Sequence, residues 1–121
     1  MSMDAKAFGQ KGEAAAARYY LDRGCRLLAH NYRTRMGELD LVLMEGNTVV
    51  IVEVKSRSET SRGPAAEAVG PAKQRRIILA AQRFLQQSGL SEQPVRFDVA
   101  EVTPAAGGGL LVHCIRSAFE L

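Results

Sequence analysis

The chain is poor in cysteine and has no long hydrophobic run. Its 121 residues contain two cysteines, Cys25 and Cys114, which are too few for a disulfide framework. No apolar run approaches the ~18 residues that a helix needs to span a bilayer. The first eight residues lack the apolar segment of a signal peptide. We therefore expect a protein of the reducing cytoplasm that has no membrane partner.

Several common site motifs are also missing. The cysteines and histidines at positions 25, 30, 113 and 114 match no compact zinc spacing. His113 and Cys114 are adjacent on a predicted strand, so their side chains point to opposite faces. No glycine-rich phosphate loop precedes a helix, and the sequence supports no Ser-His-Asp or Cys-His arrangement. Zinc chemistry and catalysis by a side-chain nucleophile are therefore not expected.

The composition is that of a soluble globular protein, with 46% hydrophobic and 24% charged residues. The length fits a single domain over residues 1–121. The net charge is +3, and the sequence pI is about 9.1. This modest excess favours a polyanionic partner without establishing one, because many small basic proteins bind no nucleic acid.

Hydrophobic periodicity predicts seven elements in the order α-β-β-β-α-β-β. Apolar residues at three- and four-residue steps predict helices over 4–23 and 71–88. Apolar and β-branched runs predict strands over 26–32, 38–44, 48–57, 95–102 and 110–115. The strand that begins at Thr48 is the most hydrophobic run and is predicted to be central. The small and polar residues 58–70 are predicted to form a loop.

Three charged residues interrupt two of these strands. Asp40 lies in the strand over 38–44, and Glu53 and Lys55 share one face of the central strand because side chains alternate. Burying such charges is costly unless a partner or a metal compensates them. Two carboxylates on neighbouring strands suit Mg²⁺, and a lysine beside them can stabilise negative charge or position water. We interpret the set as the site of a metal-dependent phosphodiesterase. The alternative is an exposed strand face with a cross-strand Asp–Lys pair.

Two further polar residues lie on the predicted helices. From spacing alone, Glu13 is better explained as a solvated helix carboxylate. The adjacent Gly12 indicates close packing there, because glycine lowers helix stability by ~1 kcal/mol relative to alanine. Gln74 lies in the first turn of the second helix, on its apolar stripe. It could line a site or cap a backbone group, and the sequence does not distinguish these.

Basic residues flank the acidic strands in sequence, and this clustering suits contacts with a phosphate backbone. A solvated charged rim explains any single arginine nearly as well. The residues that we predict to bind DNA are Arg33, Arg35, Arg57, Arg62, Lys73 and Arg76, and Arg75 belongs to the same helical group.

An ordered set of short motifs resembles the YraN family of small bacterial proteins over nearly the whole chain. The set consists of Gly12-Glu13, Asn31-Tyr-Arg33, Gly37-Glu-Leu-Asp-Leu-Val42, Val52-Glu-Val-Lys-Ser-Arg57, Lys73 and Arg96-Phe-Asp-Val99. That family is similar to the PD-(D/E)XK nuclease superfamily and, within it, to the archaeal Holliday junction resolvases. The resemblance implies a restriction-endonuclease-like α/β fold, with an αβββαβ core and a mixed central sheet flanked by helices.

The resemblance also implies roles for particular residues. Asp40 and Glu53 match the metal-binding acids, and Lys55 matches the catalytic lysine. Glu13 matches the helix glutamate of the resolvase-like branch and becomes a third metal-site candidate, and Gln74 falls near a helix polar residue of related nucleases. One departure is that Leu39, rather than proline, precedes Asp40.

The implied activity is an endonuclease that uses Mg²⁺ or Mn²⁺ to cleave DNA, with branched or damaged structures as candidate substrates. The resolvase-like relatives are dimeric, which extends a two-fold homodimer to this chain as an expectation. The alternatives are a non-catalytic nucleic-acid-binding module and a scaffold within a DNA-processing assembly. The acid–acid–lysine set favours an enzyme, because a binding module has no need of an uncompensated carboxylate pair.

Overall fold

Seven elements follow one another in the predicted order in a computed structural model, which describes residues 5–57 and 69–120, with side chains from residue 11 onwards. The elements are α1 (Ala5–Leu21), β1 (Arg26–Arg33), β2 (Glu38–Glu45), β3 (Thr48–Ser56), α2 (Pro71–Ser88), β4 (Val95–Pro104) and β5 (Leu110–Phe119). The last two strands run beyond their predicted ends at residues 102 and 115. Most of the predicted loop over 58–70, including Arg62, lies outside the described residues.

The strands form one five-stranded sheet in the order β1-β2-β3-β4-β5. Strands β3 and β4 pair in parallel, because the connection between them passes through α2, whereas every other neighbouring pair is antiparallel. The predicted central position of β3 is confirmed. The sheet is therefore mixed.

Each helix covers one face of the sheet. Ile51 and Phe97 belong to the buried cluster that packs against α2, and Val50 and Val52 belong to the cluster that packs against α1. Alternate residues of β3 thus face opposite helices, as the geometry of a strand requires. The result is an α/β protein with a mixed sheet between two helices, the layout of a restriction-endonuclease-like core.

Helix α2 begins and ends where the sequence predicts. Pro71 occupies the first turn, where the missing N–H of proline leaves no acceptor unsatisfied. Gly89 ends the helix with φ 69°, and its N–H faces the carbonyl groups of Leu85 and Gln86. The buried stripe of α2 consists of Ile77, Ala80, Ala81, Phe84 and Leu85. This packing fixes the first turn of α2 beside the end of β3, where the acidic residues lie.

Two glycines allow neighbouring elements to approach closely. A Cβ atom on Gly12 would lie 2.1 Å from Ser56 Oγ, and one on Gly37 would lie 2.6 Å from the carbonyl oxygen of Arg76. The close packing predicted at Gly12 is therefore confirmed. The contacts hold α1 against the end of β3 and the β1–β2 turn against α2. Neither of the two described helices is long and apolar enough to cross a membrane.

Candidate active site

Strands β2 and β3 stop pairing through their backbones at Asp40. Their ladder runs from Glu45 and Thr48 to Leu41 and Val52. Beyond that point, the backbone N–H of Val54 donates a hydrogen bond to Asp40 Oδ2 at 2.8 Å. The carboxylate therefore takes the place of a strand partner, and this bond fixes its position near Glu53.

Asp40 and Glu53 form a close acidic pair. Glu53 is only 6% exposed. Burial and, after it, the negative charge of Glu53 raise the pKa of Asp40 to about 7, against the opposing effect of the hydrogen bond from Val54. Glu13 makes a smaller contribution in the same direction. Near neutral pH the surroundings of Asp40 thus disfavour its charged form, a condition that a bound cation would relieve.

Two lysines contact Glu53. Its Oε1 atom lies 2.5 Å from Lys73 Nζ and 3.8 Å from Lys55 Nζ. Burial lowers the pKa of Lys55, and the neighbouring Lys73 lowers it further. Burial also opposes the charge on Lys73, but its contacts with Glu53 and Lys55 and the charge of Asp40 together outweigh that effect and raise the pKa of Lys73. The expectation of an uncompensated carboxylate pair is therefore wrong for Glu53, because Lys73 crosses from α2 to neutralise it.

Asp40 and Glu53 line an open cleft of about 400 Å³ between the β1–β2 turn and α2. Its basic residues, all predicted from the sequence to bind DNA, are Arg33, Arg35, Lys73 and Arg76. The lining also includes the exposed acid Glu38, which pairs with Arg33 at 3.6 Å. A cleft with acids at its floor and cations around them can hold a metal ion together with a phosphate group.

Glu13 is not part of the acidic pair. It projects from α1, which packs on the opposite face of the sheet, and lines a separate groove with Leu27, His30 and Leu41. Among the side chains that the structure describes, no three or more His, Cys, Asp or Glu residues are close enough to hold one metal ion. The predicted role of Glu13 as a direct metal ligand stays a prediction. A contact from Glu13 through water stays a prediction.

Two other predicted site residues contact protein groups outside the cleft. Gln74 Nε2 donates a hydrogen bond to the carbonyl oxygen of Val69 at 2.7 Å, so its side chain makes the backbone contact that the sequence left open as an alternative. Arg57 Nε lies 3.4 Å from a carboxylate oxygen of Glu101. Neither residue lines the cleft. Their predicted roles in catalysis and in DNA binding stay predictions.

Sequence reasoning missed several residues beside the cleft. A second groove, of about 470 Å³, adjoins it and is lined by Tyr32, Met36, Arg83 and Gln87 in addition to residues 33–35. One signal was available, because Arg83 follows Arg76 by seven residues, a spacing that places both on one side of a helix. Met36 carried no such signal, because a single methionine in a turn has no periodicity.

The donor set fits Mg²⁺ or Mn²⁺. Both ions prefer carboxylate, water and phosphate oxygens, and Mg²⁺ is commonly bound by one or two carboxylates together with substrate phosphates. Asp40 and Glu53 supply two such groups. The pKa of Asp40 is raised by burial first and by the negative charge of Glu53 second, and a bound cation would oppose both effects.

The fold and site thus define a restriction-endonuclease-like α/β protein with a paired-acid cleft. Comparison with known proteins assigns the family. The model of the uncharacterised protein family UPF0102 matches residues 12–102. This chain belongs to that family, which confirms the resemblance to YraN-like proteins.

Individual relatives match over 81% to 98% of their own length. The chain is 45% identical over 118 residues to a UPF0102 protein of Stutzerimonas stutzeri, covering 97% of this chain and 98% of that protein. It is 44% identical over 108 residues to one of Anaeromyxobacter dehalogenans, covering 89% of this chain and 81% of that protein. A relative from Pseudomonas fluorescens is 42% identical over 113 residues, covering 93% of this chain and 92% of that protein.

Proposed function

We propose that this protein is a metal-dependent endonuclease that hydrolyses phosphodiester bonds in DNA. The observation that carries the proposal is the Asp40–Glu53 pair, in which Glu53 is buried and Asp40 is half-buried, in a cleft that is also lined by cationic side chains. Burying two neighbouring carboxylates destabilises a fold. Such an arrangement, with a strongly shifted pKa in a cleft, is typical of functional sites.

The acidic pair would hold Mg²⁺ or Mn²⁺ through Asp40 and Glu53. A bound divalent ion supplies a polarised phosphate and a water of lowered pKa. The Val54 N–H keeps the Asp40 carboxylate oriented towards Glu53. Lys55 shares the face of Glu53 and would stabilise the negative charge that develops on the phosphate, or orient the attacking water.

Lys73 would change partners during the reaction. Its ammonium group is bonded to Glu53 Oε1, so it satisfies the acid before a cation binds. If Glu53 Oε1 held a divalent ion instead, the Lys73 ammonium group would be free to contact the phosphate of the DNA. The contact with Lys73 thus holds the Glu53 side chain in position without a metal.

The DNA would lie across the cleft rim. Arg33, Arg35 and Arg76 line the cleft and would contact the phosphate backbone, which provides affinity without sequence preference. We retain branched or damaged DNA as the substrate class and a two-fold homodimer as the assembly, since two clefts could then act on two equivalent strands. The two cysteines, both free thiols, are compatible with a cytoplasmic location.

A second candidate function is a DNA-binding module or scaffold that does not cleave. It is favoured by the two lysine contacts of Glu53, because an acid already neutralised by lysine does not require a metal. In that case, the arginines would bind DNA and the acidic pair would only hold α2 against the sheet.

A nuclease assay separates the two candidates. Linear, nicked, flap and four-way-junction DNA would be incubated with the protein in Mg²⁺, in Mn²⁺ or in EDTA. We expect cleavage that needs the divalent ion, a loss of at least about 100-fold in Glu53→Gln, as for removal of a group that stabilises the transition state, and unchanged cleavage in the matched control Glu92→Gln. DNA binding without cleavage under every condition would favour the binding module. Equal cleavage by Glu53→Gln and wild type would contradict the proposed site.

A further inference from the structure

The second groove continues the proposed active-site cleft along α2. Both cavities are lined by residues 33–36. The cleft extends to Lys73 and Arg76 in the first half of the helix, and the groove extends to Arg83 and Gln87 in its second half. The β1–β2 turn therefore stands between two connected depressions.

The lining of the second groove is positively charged. Its charged residues are Arg33, Arg35 and Arg83, and the side chain of Arg33 is 77% exposed. No acidic residue is among the described residues that line it. A groove with three exposed cations is complementary in charge to a polyanion. Successive phosphate groups of a nucleic-acid strand would neutralise the three arginines.

The floor of the groove is built from uncharged groups that are held in place. The Tyr32 hydroxyl donates a hydrogen bond to Gln87 Oε1, and the Tyr32 ring packs edge-on against Phe84 with centroids 5.2 Å apart. These contacts tie β1 to α2 beneath the arginines. The groove therefore combines positive charge with an aromatic ring and an amide group that are held in fixed positions. Proteins that bind single-stranded nucleic acids combine a positively charged groove with aromatic side chains.

The turn itself is held by a local hydrogen-bond network. The Thr34 N–H donates to the Gly37 carbonyl oxygen at 2.8 Å. The N–H groups of Met36 and Gly37 donate to Thr34 Oγ1 at 3.1 and 3.0 Å. The close contact between Gly37 and the Arg76 backbone then fixes the turn against α2. A fixed turn can present a side chain at a defined position.

The side chain that this turn presents is apolar. Met36 is 43% exposed, lines both cavities and is preceded in the chain by Thr34 and Arg35. An isolated exposed hydrophobic residue is ordinary on a protein surface. An apolar side chain on a fixed turn between two cationic depressions is a different case, because apolar wedges between base steps are a recognised way of kinking DNA.

We propose that the second groove holds the DNA strand that runs to the acidic pair, and that Met36 inserts between two of its bases. The inference rests on the proposed function, since it assigns the substrate path of the same site. Arg33, Arg35 and Arg83 contact successive phosphates, and Met36 separates the bases between them. The energy of unstacking is smallest at a mismatch, a branch or an already single-stranded step. The wedge therefore selects DNA that is locally unpaired.

Base unstacking can be measured directly with a 2-aminopurine base placed at a junction or bulge. Binding is followed by fluorescence anisotropy in EDTA, so that no cleavage occurs, and unstacking is followed by the rise in 2-aminopurine emission. We expect wild type to produce the rise. Met36→Ala should lose most of it and bind about 5- to 10-fold more weakly, in line with one lost stacking contact. Met36→Leu should retain it.

Two variants serve as controls. Leu79→Ala removes an apolar side chain of similar exposure, 38%, that lines neither cavity, and it should leave both signals unchanged. Arg83→Gln should retain the emission rise but lower the slope of log affinity against log salt by about 1, as for one lost phosphate contact. Thermal unfolding verifies that each variant is folded.

The possible results separate this inference from the proposed function. DNA binding with the same emission rise in wild type and Met36→Ala overturns the wedge and leaves the nuclease proposal intact. A rise that depends on Met36, without cleavage in any metal, supports the wedge and contradicts the nuclease. Absence of DNA binding at low salt overturns both.

Discussion

The two faces of the sheet bury acidic residues in opposite ways. On the α1 face, Asp98 is fully buried. It accepts hydrogen bonds from the Tyr20 hydroxyl at 2.8 Å and from the Ser117 N–H at 3.0 Å. Arg96 contacts both of its oxygens, at 3.0 and 3.2 Å. Every oxygen of this acid therefore has a partner, and one partner is a cation.

The network around Asp98 extends to β5 at the sheet edge, and its negative and positive side chains are equal in number. Arg96 also contacts Glu45 at 2.8 Å, and Arg116 lies 3.4 Å from the same carboxylate oxygen. Two acids are thus matched by two arginines. Burial raises the pKa of Tyr20, and its contacts with Cys114 and Asp98 raise it further, so its hydroxyl stays a donor. This network joins α1, β4 and β5.

On the α2 face, the corresponding acids are not balanced in this way. Asp40 accepts one backbone hydrogen bond and lies beside a second carboxylate, and the available cations contact Glu53. The comparison teaches that burial of an acid does not by itself indicate function. A fully partnered acid stabilises the fold. An acid with a strongly raised pKa beside a cleft is unfavourable in its charged form, and a bound cation can offset that cost.

The largest change in the free energy of unfolding is expected from a substitution on the α1 face. Asp98→Ala should lower the free energy of unfolding by about 3–5 kcal/mol, because it leaves the Arg96 guanidinium and the Tyr20 hydroxyl without their buried partner. Urea denaturation measures the loss. The double variant Asp98→Ala/Arg96→Met should recover part of it, since no unpaired charge remains. A loss below about 1 kcal/mol would mean that the network is not structural.

On the α2 face, removal of an acidic charge is expected to raise the free energy of unfolding rather than lower it. The unfolded chain releases the Asp40 proton near pH 4, whereas the folded protein retains it until about pH 7. Stability conferred at low pH is therefore lost as the pH rises through this interval. Asp40→Asn should raise the free energy of unfolding at pH 8 by about 1–3 kcal/mol and change it little at pH 4.

Urea denaturation at both pH values in EDTA tests this prediction. Asn retains an oxygen that can accept the Val54 hydrogen bond, so the comparison isolates the charge. Destabilisation at pH 8 would show that Asp40 is fully satisfied, like Asp98, and would remove the difference between the two faces.

A smaller effect is expected from Lys73, whose side chain is 43% exposed. Lys73→Met should lower the free energy of unfolding in EDTA by about 1 kcal/mol or less, because a half-exposed ion pair contributes little. It should also increase the rise in Tm on adding Mg²⁺, since the lysine no longer competes for Glu53. Arg75→Met, an exposed neighbour on α2, is the matched control. Equal Mg²⁺ shifts in wild type and Lys73→Met would argue against metal binding at Glu53.

The fold was largely predictable because it follows from local periodicity. Alternation in β3 places Glu53 and Lys55 on one face, and the hairpin between β2 and β3 brings Asp40 alongside. The contact of Lys73 with Glu53 could not be predicted, because it depends on where α2 crosses the sheet after a long connection. The Asp98 network joins residues up to 78 positions apart, and no local pattern marks its partners.

The partner of Gln74 could not be predicted from the sequence either, and substitution of Gln74 has the smallest expected effect. Its position on the apolar stripe predicted an inward side chain but not its partner, which is the Val69 carbonyl oxygen. If the side chain acts only as a backbone cap, Gln74→Ala should lower the free energy of unfolding by about 0.5–1.5 kcal/mol and leave DNA cleavage or binding within about 2-fold of wild type, well short of the loss expected for a catalytic group. Gln82→Ala, exposed on the same helix, controls for helix propensity. A loss of cleavage of 100-fold or more without a change in stability would place Gln74 with Asp40 and Glu53 in catalysis, because a cap acts on the fold and a catalytic group acts on the rate.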